Sequence, residues 1–459
     1  MPNLHCARVD IMILTKEKKF YKNLIYLAVP MIVQNLITYS VSLADNLMIG
    51  SLGDNAVSGV YMAGQVQTVL QVLSAGIEAA ILLISSQYWG KSDVQNIRRT
   101  VSVGMTFSVI LGAVFTFVCA LFPNAVIGIF TNDEQVIKSG VEYLSAVCAS
   151  YVFFCITQAL IAAMRSVESA KIGMTVSLCS LIIDITLNYM LIFGKAGFPE
   201  LGVRGAAIAT LIARICETVI IFIYVKFADK KLCFKFREML HPYIPILKDF
   251  VRYGTPLVAG QLVWGINLFA NSIILGHLQS DVITGVSLAN TVNSLMYVGM
   301  NGLAGAVGII IGKTVGSGDL SKIKEYSRTV QILFIIFGVC TGLLFFIIRD
   351  PFISLYNITD GAVFYSRQFI TVLCFTCIGT CYQCPCLLGL VKSGGDVSFV
   401  LKNDTAFVFG VVIPLGIITS LLGAPPWVVY LALKSDQILK CIPAFFKIRK
   451  YNWMKNLTR

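Results

Sequence analysis

Apolar stretches of about 20 residues, each long enough to cross the hydrocarbon core of a bilayer, recur from Leu24 to Phe446. No water-soluble core can absorb that much apolar helix. A soluble domain normally carries about a quarter charged residues, whereas only 13% of these 459 residues are charged and 56% are hydrophobic. The deficit runs the length of the chain, so the solvent for this protein is lipid. Apolar runs read against charged or Gly/Pro breaks predict twelve spans: 24–50, 56–88, 100–122, 136–164, 170–193, 204–226, 249–276, 282–312, 326–348, 362–390, 397–420 and 425–447. Several exceed the bilayer thickness, which permits tilt or extension into water. The segment up to Tyr21 is short, contains Arg8, Lys16, Lys18 and Lys19, and has no small-residue cleavage site after the first apolar run. The first span is therefore expected to be retained.

The formal charge of +12 would suit nucleic acid if it were clustered on one soluble face, but it alternates with the spans. One side collects the N-terminal segment, Lys91/Arg98/Arg99, Arg165/Lys171, and the loop from Lys226 to Arg252 with its seven Lys or Arg. The same side takes Lys313/Lys322/Lys324/Arg328, Lys392/Lys402 and the stretch from Lys447 onward. The other side has only Lys138, Lys195, Arg204, Arg349 and Arg367. Basic loops stay in the cytoplasm, which predicts a multi-pass protein of the cell (inner) membrane with both termini cytoplasmic and no nucleic-acid partner.

The longest basic loop falls mid-chain, and the two sides of it resemble each other. "PMIVQ" from Pro30 matches "PLVAG" from Pro256, "ADNLMIG" from Ala44 matches "ANSIILG" from Ala270, and "SGVYMAG" from Ser58 matches "TGVSLAN" from Thr284. Gly50, Leu52, Gly59, Val60, Ala63, Gly76, Ala80, Gly90 and Asp93 all recur at one offset without a gap. This is a duplication. Six spans per half make the repeat parallel, with its pseudo-two-fold axis along the membrane normal, an arrangement in which a transport pathway lies between two rocking lobes. The expected divisions are 1–21, a cytoplasmic segment; 22–227, the first lobe; 228–247, a linker; 248–447, the second lobe; and 448–459, a cytoplasmic tail.

The residues also resemble a known family. "LAVPMIVQNLITYSVSLADNLMIGSLGDNAVSGV" is similar to the first span of the multidrug and toxic compound extrusion (MATE) family. "SLIIDITLNYMLIFGKAGFPELGVRGAAIAT" resembles its fifth span, loop and sixth span. "LGLVKSGGDVSFVL" resembles the family's loop before span eleven and "YNWMKNL" its tail. The resemblance runs from about Tyr21 onward. It implies an all-α protein of two pseudo-symmetric six-helix bundles around a V-shaped central cavity. It also implies antiport of cationic or amphipathic organic compounds against H⁺ or Na⁺.

An ionised carboxylate near mid-membrane costs several kcal/mol, so intramembrane acids are functional candidates. Asp45 lies deep in span one, where the resemblance puts the family's essential acid; the alternative is a hydrogen-bonded acid near the span's outer end. Asp184 and Asn188 are four apart in span five and share a helix face, and the resemblance turns that pair toward Asp45. These hard oxygens suit a small cation. Thr210 in "GAAIAT" adds an oxygen unless it bonds its own helix. Arg214 and Glu217 in span six, three apart, are read as neutralising each other, and Asp436 with Lys440 likewise. Some branches of the family carry acids in spans seven and ten, where this chain has none, which puts coupling in the first lobe and leaves Asp404 a structural or gating part. An adaptable cavity for amphipathic cations needs aromatic, Met and polar surfaces. Tyr39, Gln65, Glu78, Gln261, Trp264, Asn267 and Tyr297 are the candidates, with Tyr61, Met62, Asn290 and Asn293 beside them.

Other chemistries find less support. Cys374, Cys377, Cys381 and Cys384 follow helical spacing along one stripe, and ligands on one straight helix cannot surround a metal, so packing is expected. There is no G-x-x-x-x-G-K-[ST] phosphate loop and no Ser/Lys or His/Glu pair for an intramembrane enzyme, so neither cofactor nor enzymatic activity is expected. A lipid or lipid-linked oligosaccharide flippase is the alternative, and it would demand Arg or Lys in the cavity. The expected partners are small-molecule substrates and membrane lipids, and the expected working unit is a monomer.

Overall fold

The computed structural model describes residues 14–234, 243–276, 278–356 and 358–458, apart from the side chain of Ser280. Parts of the expected N-terminal segment and linker, at 1–13 and 235–242, lie outside the described residues. The regular structure among the described residues is all helix, with no strand, as lipid requires of a chain that must pair its backbone groups within each segment.

The first half consists of α1 (Lys18–Gly50), α2 (Asp54–Gly90), α3 (Val94–Leu121), α4 (Pro123–Gly128), α5 (Glu134–Val147), α6 (Ser150–Ser166), α7 (Lys171–Phe193) and α8 (Gly202–Ile223). The second half consists of α9 (Ile244–Gly276), α10 (Ser280–Ser317), α11 (Leu320–Ile353), α12 (Asp360–Cys384), α13 (Val397–Phe407), α14 (Ile413–Leu421), α15 (Pro426–Leu433), α16 (Ser435–Leu439) and α17 (Cys441–Lys450). Ten helices among the described residues are long and apolar enough to cross a membrane. The predicted fourth span is the pair α5–α6, bent by 53°. The Thr116 hydroxyl donates to the Cys148 carbonyl at 2.8 Å, beside that bend. The predicted twelfth span runs as the three short helices α15, α16 and α17. Pro443, the third residue of α17, has no N–H for the carbonyl one turn earlier, and the break falls there.

The duplication is visible in the packing. α1 lies on α7 and α9 on α13, their counterparts. Asp93 caps α3 by accepting from the Asn96 N–H at 3.1 Å, and Asp319 caps α11 by accepting from the Lys322 N–H at 3.1 Å. The halves meet through α1 on α10, α9 on α2, and α2 on α10. Asn35 Nδ2 donates to the Val298 carbonyl at 3.2 Å.

The tightest contact between halves is the crossing of α2 with α10 at the end of the bundle that carries the basic loops. A Cβ at Gly90 would overlap the Lys313 carbonyl, and a Cβ at Gly316, its repeat equivalent, would overlap the Gln87 carbonyl. Two backbones approach this closely only where neither has a side chain. Beside them Lys313 Nζ pairs with Glu168 Oε2 at 2.8 Å, and Trp89 Nε1 donates to the same carboxylate at 3.2 Å.

Gly316→Leu should therefore force the crossing apart and cost about 1–3 kcal/mol, read as a lower melting temperature in detergent. Gly299→Ala in the same helix, where a Cβ meets nothing within 4 Å, should leave the melt unchanged or raise it slightly. Equal melts for the two variants would mean that the crossing is not the contact that holds the halves.

Candidate functional site

Three local features of the sequence bring one set of polar side chains together. Asp45 sits in the outer part of α1, five residues before Gly50, on a helix that packs along α7. Asp184 and Asn188 present one face of α7 one turn apart. α7 ends at Gly194, with φ at +62°, and the loop closes with the Leu201 N–H donating to the Leu191 carbonyl at 2.9 Å. Gly205 then lets α8 pass against α7, because a Cβ there would press on Leu191. That approach sets Thr210, Arg214 and Glu217 beside the α7 face.

Asn188 Nδ2 donates to Asp45 Oδ1 at 2.8 Å and to Asp184 Oδ2 at 3.3 Å, so one amide spans two carboxylates. The Thr210 side chain lies beside Asp184 and Tyr143. Asp184 and Asn188 are 2% and 1% exposed, and the oxygens Asp184 Oδ1 and Asn188 Oδ1 are buried with no hydrogen-bond donor among the described residues. Buried acceptors are nearly always paired; Asn267 Oδ1 and Asn271 Oδ1 in the second half are unpaired among the described residues as well. Arg214 Nη1 bonds Glu217 Oε2 at 2.8 Å, one turn along α8, as the spacing predicted.

Asp45, Asp184, Thr210, Arg214 and Glu217 line an open cavity of about 310 Å³ formed by first-half residues, at the small end of the range for ligand sites. Its opposite wall is α2, which presents Tyr61, Gly64, Gln65, Thr68 and Gln71 at three- and four-residue spacing. Three acids and one base line it, a formally negative set, facing a neutral, amide-rich wall. Of the residues predicted from sequence, Asp45, Asp184, Thr210, Gln65 and Tyr61 line it, and Asn188 stands behind Asp45. Tyr143, Gln67, Gln71, Ser177 and Ser180 also line it and were not predicted. Tyr143 lies on α5, the first limb of the bent fourth span.

The remaining candidates lie elsewhere. Tyr39 is half-buried and does not line the cavity. Glu78, one helical turn from Ser74, accepts from Ser74 Oγ at 3.1 Å and lies near Arg165 and Lys392, closer to the α2–α10 crossing. In the second half Gln261 is half-buried, Trp264 is 45% exposed, and Asn267 is buried with Oδ1 unpaired. Tyr297 belongs to a polar cluster with Gln437, Cys384 and Asp436. Lys440 Nζ bonds both Asp404 Oδ1 at 2.9 Å and Asp436 Oδ2 at 3.1 Å, so the second-half acids already hold a cation from their own chain. The cysteine stripe on α12 packs against α11, where Cys377 Sγ donates to the Cys374 carbonyl at 3.2 Å and lies 3.7 Å from that of Gly338. No cluster of His, Cys, Asp or Glu suited to a metal occurs among the described residues.

The Arg214–Glu217 pair is nearly buried, so removing one partner strands a charge. Arg214→Gln and Glu217→Gln should each destabilise by about 3 kcal/mol, and the double variant by much less than the sum. A thermal-melt double-mutant cycle reads this directly. Additive losses would show the pair uncoupled.

With this geometry in place, known proteins supply a comparison. The sequence profile described as MatE matches residues 30–190 and again 256–432, in register with the duplication. A probable multidrug resistance protein NorM of Thermotoga maritima is 28% identical over 340 residues, covering 73% of this chain and 72% of that protein. The probable NorM of Bacillus anthracis is 24% identical over 409 residues, covering 86% and 88%. A crystal structure of MATE in complex with MaL6 superposes with a TM-score of 0.84 at 19% identity, over 94% of this chain and 96% of that one. The eukaryotic MATE transporter AtDTX14 superposes with a TM-score of 0.83 at 18% identity, over 96% and 97%. Two profile matches spanning more than half of the chain, on a fold of two duplicated helical bundles, show that this protein belongs to the MatE family, the multidrug and toxic compound extrusion transporters.

Proposed function

We propose that this protein is a secondary active multidrug efflux transporter that exports cationic or amphipathic organic compounds in exchange for H⁺ or Na⁺. The observation that carries the reading is the Asp45–Asn188–Asp184 bridge, with its two unpaired buried oxygens, at the wall of a negative cavity. A proton or a small hard cation supplies what those oxygens lack, and an organic cation suits the same field. The ion and the substrate then compete for the carboxylates: Asp45 and Asp184 loaded with the ion have little attraction for a cationic drug, and once emptied they attract it. This competition is the exchange. Two curated relatives named as probable multidrug resistance proteins support the substrate class.

The rest of the reading follows the charge pattern and the repeat. The side with the basic loops, Lys91, Lys171 and the 447–458 segment among them, is cytoplasmic, in the cell membrane. Residues 22–227 and 248–447 are the two lobes. Energy comes from the ion gradient, with neither bound ATP nor a cofactor, and a monomer is the working unit. A flippase for anionic head groups fits less well, because Arg214, the one base lining the cavity, is already held by Glu217.

Asp45→Asn should abolish gradient-driven efflux of a fluorescent organic cation, at least tenfold, while insertion and folding remain intact. Proteoliposomes under a pH gradient and a Na⁺ gradient, imposed separately, identify the ion. Undiminished efflux by Asp45→Asn would sink the carboxylate mechanism. Absence of efflux by the parent under both gradients would favour lipid translocation instead.

A further inference from the structure

Two pieces of sequence with no part in the ion site dock on one another. The 393–396 turn, "SGGD", receives the 451–458 segment that follows α17. A Cβ at Gly394 would overlap the Trp453 ring, and Gly395, with φ at +101°, passes so near the Lys455 backbone that a Cβ would meet its carbonyl at 2.6 Å. The Lys455 N–H donates to the Gly394 carbonyl at 2.7 Å. Asp396 accepts from Lys447 Nζ at 2.6 Å and from Lys455 Nζ at 2.8 Å. Burial alone would raise the Asp396 carboxyl, but the two ammonium groups hold it below the ordinary carboxylate range, so it stays ionised at neutral pH.

The segment does not stop at the second half. Trp453 is fully buried against Gly394, while Leu457, four residues on, is 8% exposed in a separate apolar cluster that draws on both halves, Ile81 and Ile84 of α2 with Phe250 and Val397. Between them Gln87 of α2 works as a clasp. Its Nε2 donates to the Ser393 carbonyl at 3.2 Å and lies 3.3 Å from that of Lys455, and its Oε1 accepts from the Leu457 N–H at 2.8 Å. Gln87 is also the residue whose carbonyl faces Gly316 at the α2–α10 crossing. One side chain thus ties the crossing, the turn and the segment together, between two buried anchors.

From this geometry we infer that the 451–458 segment is a removable strap across the basic-side gate: the halves cannot part at α2–α10 until Gln87 of α2 releases the Leu457 N–H and the Ser393 carbonyl, and Leu457 leaves its cluster. Trp453 stays rooted throughout, so the strap swings on the second half and rebinds. Its release is a step of the conformational cycle separate from ion binding, since no strap residue lines the cavity holding Asp45.

Hydrogen exchange with mass-spectrometric readout on the purified full-length protein tests this without any transport measurement, so its outcome is independent of the proposed ion and substrate. In Gln87→Ala and in Leu457→Asp, peptides over 84–91 and 308–317 should exchange about tenfold faster, as expected for lost buried bonds that gate a local opening. Peptides in α5 to α8 should be unchanged, and Leu457→Met should restore protection. If the 451–458 peptide loosens while the crossing keeps its protection, or if neither changes, the strap does not gate and the inference is overturned. Should Leu457→Asp raise exchange everywhere, Gln87→Ala, a deletion of the clasp alone, decides between the same two outcomes.

Discussion

The structure hangs on the approach of α2 to α10. In lipid there is no hydrophobic force between apolar helices, so association depends on packing and on hydrogen bonds between segments. Gly90 and Gly316 remove the side chains that would hold the backbones apart, and the bonds of Gln87, Trp89, Glu168 and Lys313 gather where that approach brings polar groups together. Away from this end α1 and α2 carry the cavity.

The two halves share an ancestry but not a charge distribution. Position 271 of α9, the repeat equivalent of Asp45, is Asn, and the second half's own acids, Asp404 and Asp436, share the ammonium of Lys440. A buried acid with a tethered cation is satisfied and has no call for an ion from solution. In the first half Arg214 pairs with Glu217 on its own helix, and the Asp45 and Asp184 carboxylates are bridged by the Asn188 amide and not by an ammonium group. The difference between a structural charge cluster and a candidate coupling site is thus a difference in where the nearest cation is anchored.

Loops in this protein do as much as helices. The "GFPELGVRG" connection brings α8 against α7 through Gly205 and thereby assembles the cavity's acidic corner. The "SGGD" turn, by contrast, has nothing to do with ions; its glycines make a cradle for Trp453 and Lys455 at the opposite end of the molecule. Both stand out in the sequence as glycine-rich punctuation, yet one serves the site and the other the gate.

Taken alone, the sequence determined what is local and periodic. Apolar runs had to become membrane helices, the constant offset of the repeat had to become equivalent packing such as the paired caps at Asp93 and Asp319, and the four-residue spacing of Asp184 and Asn188 had to put both on one face. Arg214 and Glu217 had to meet for the same reason. Tertiary structure decided what depends on partners far apart in the chain. The fourth span bends where Thr116, on another helix, bonds the Cys148 carbonyl. Glu78 lies near Arg165 and Lys392, and Trp264 and Tyr297, on α9 and α10, do not line the first-half cavity. The last span breaks where Pro443 and the Lys440 ion pairs override its hydrophobicity. The docking of 451–458 on Gln87 joins residues some 370 apart, a pairing that no periodicity encodes, because it exists only once both halves have packed.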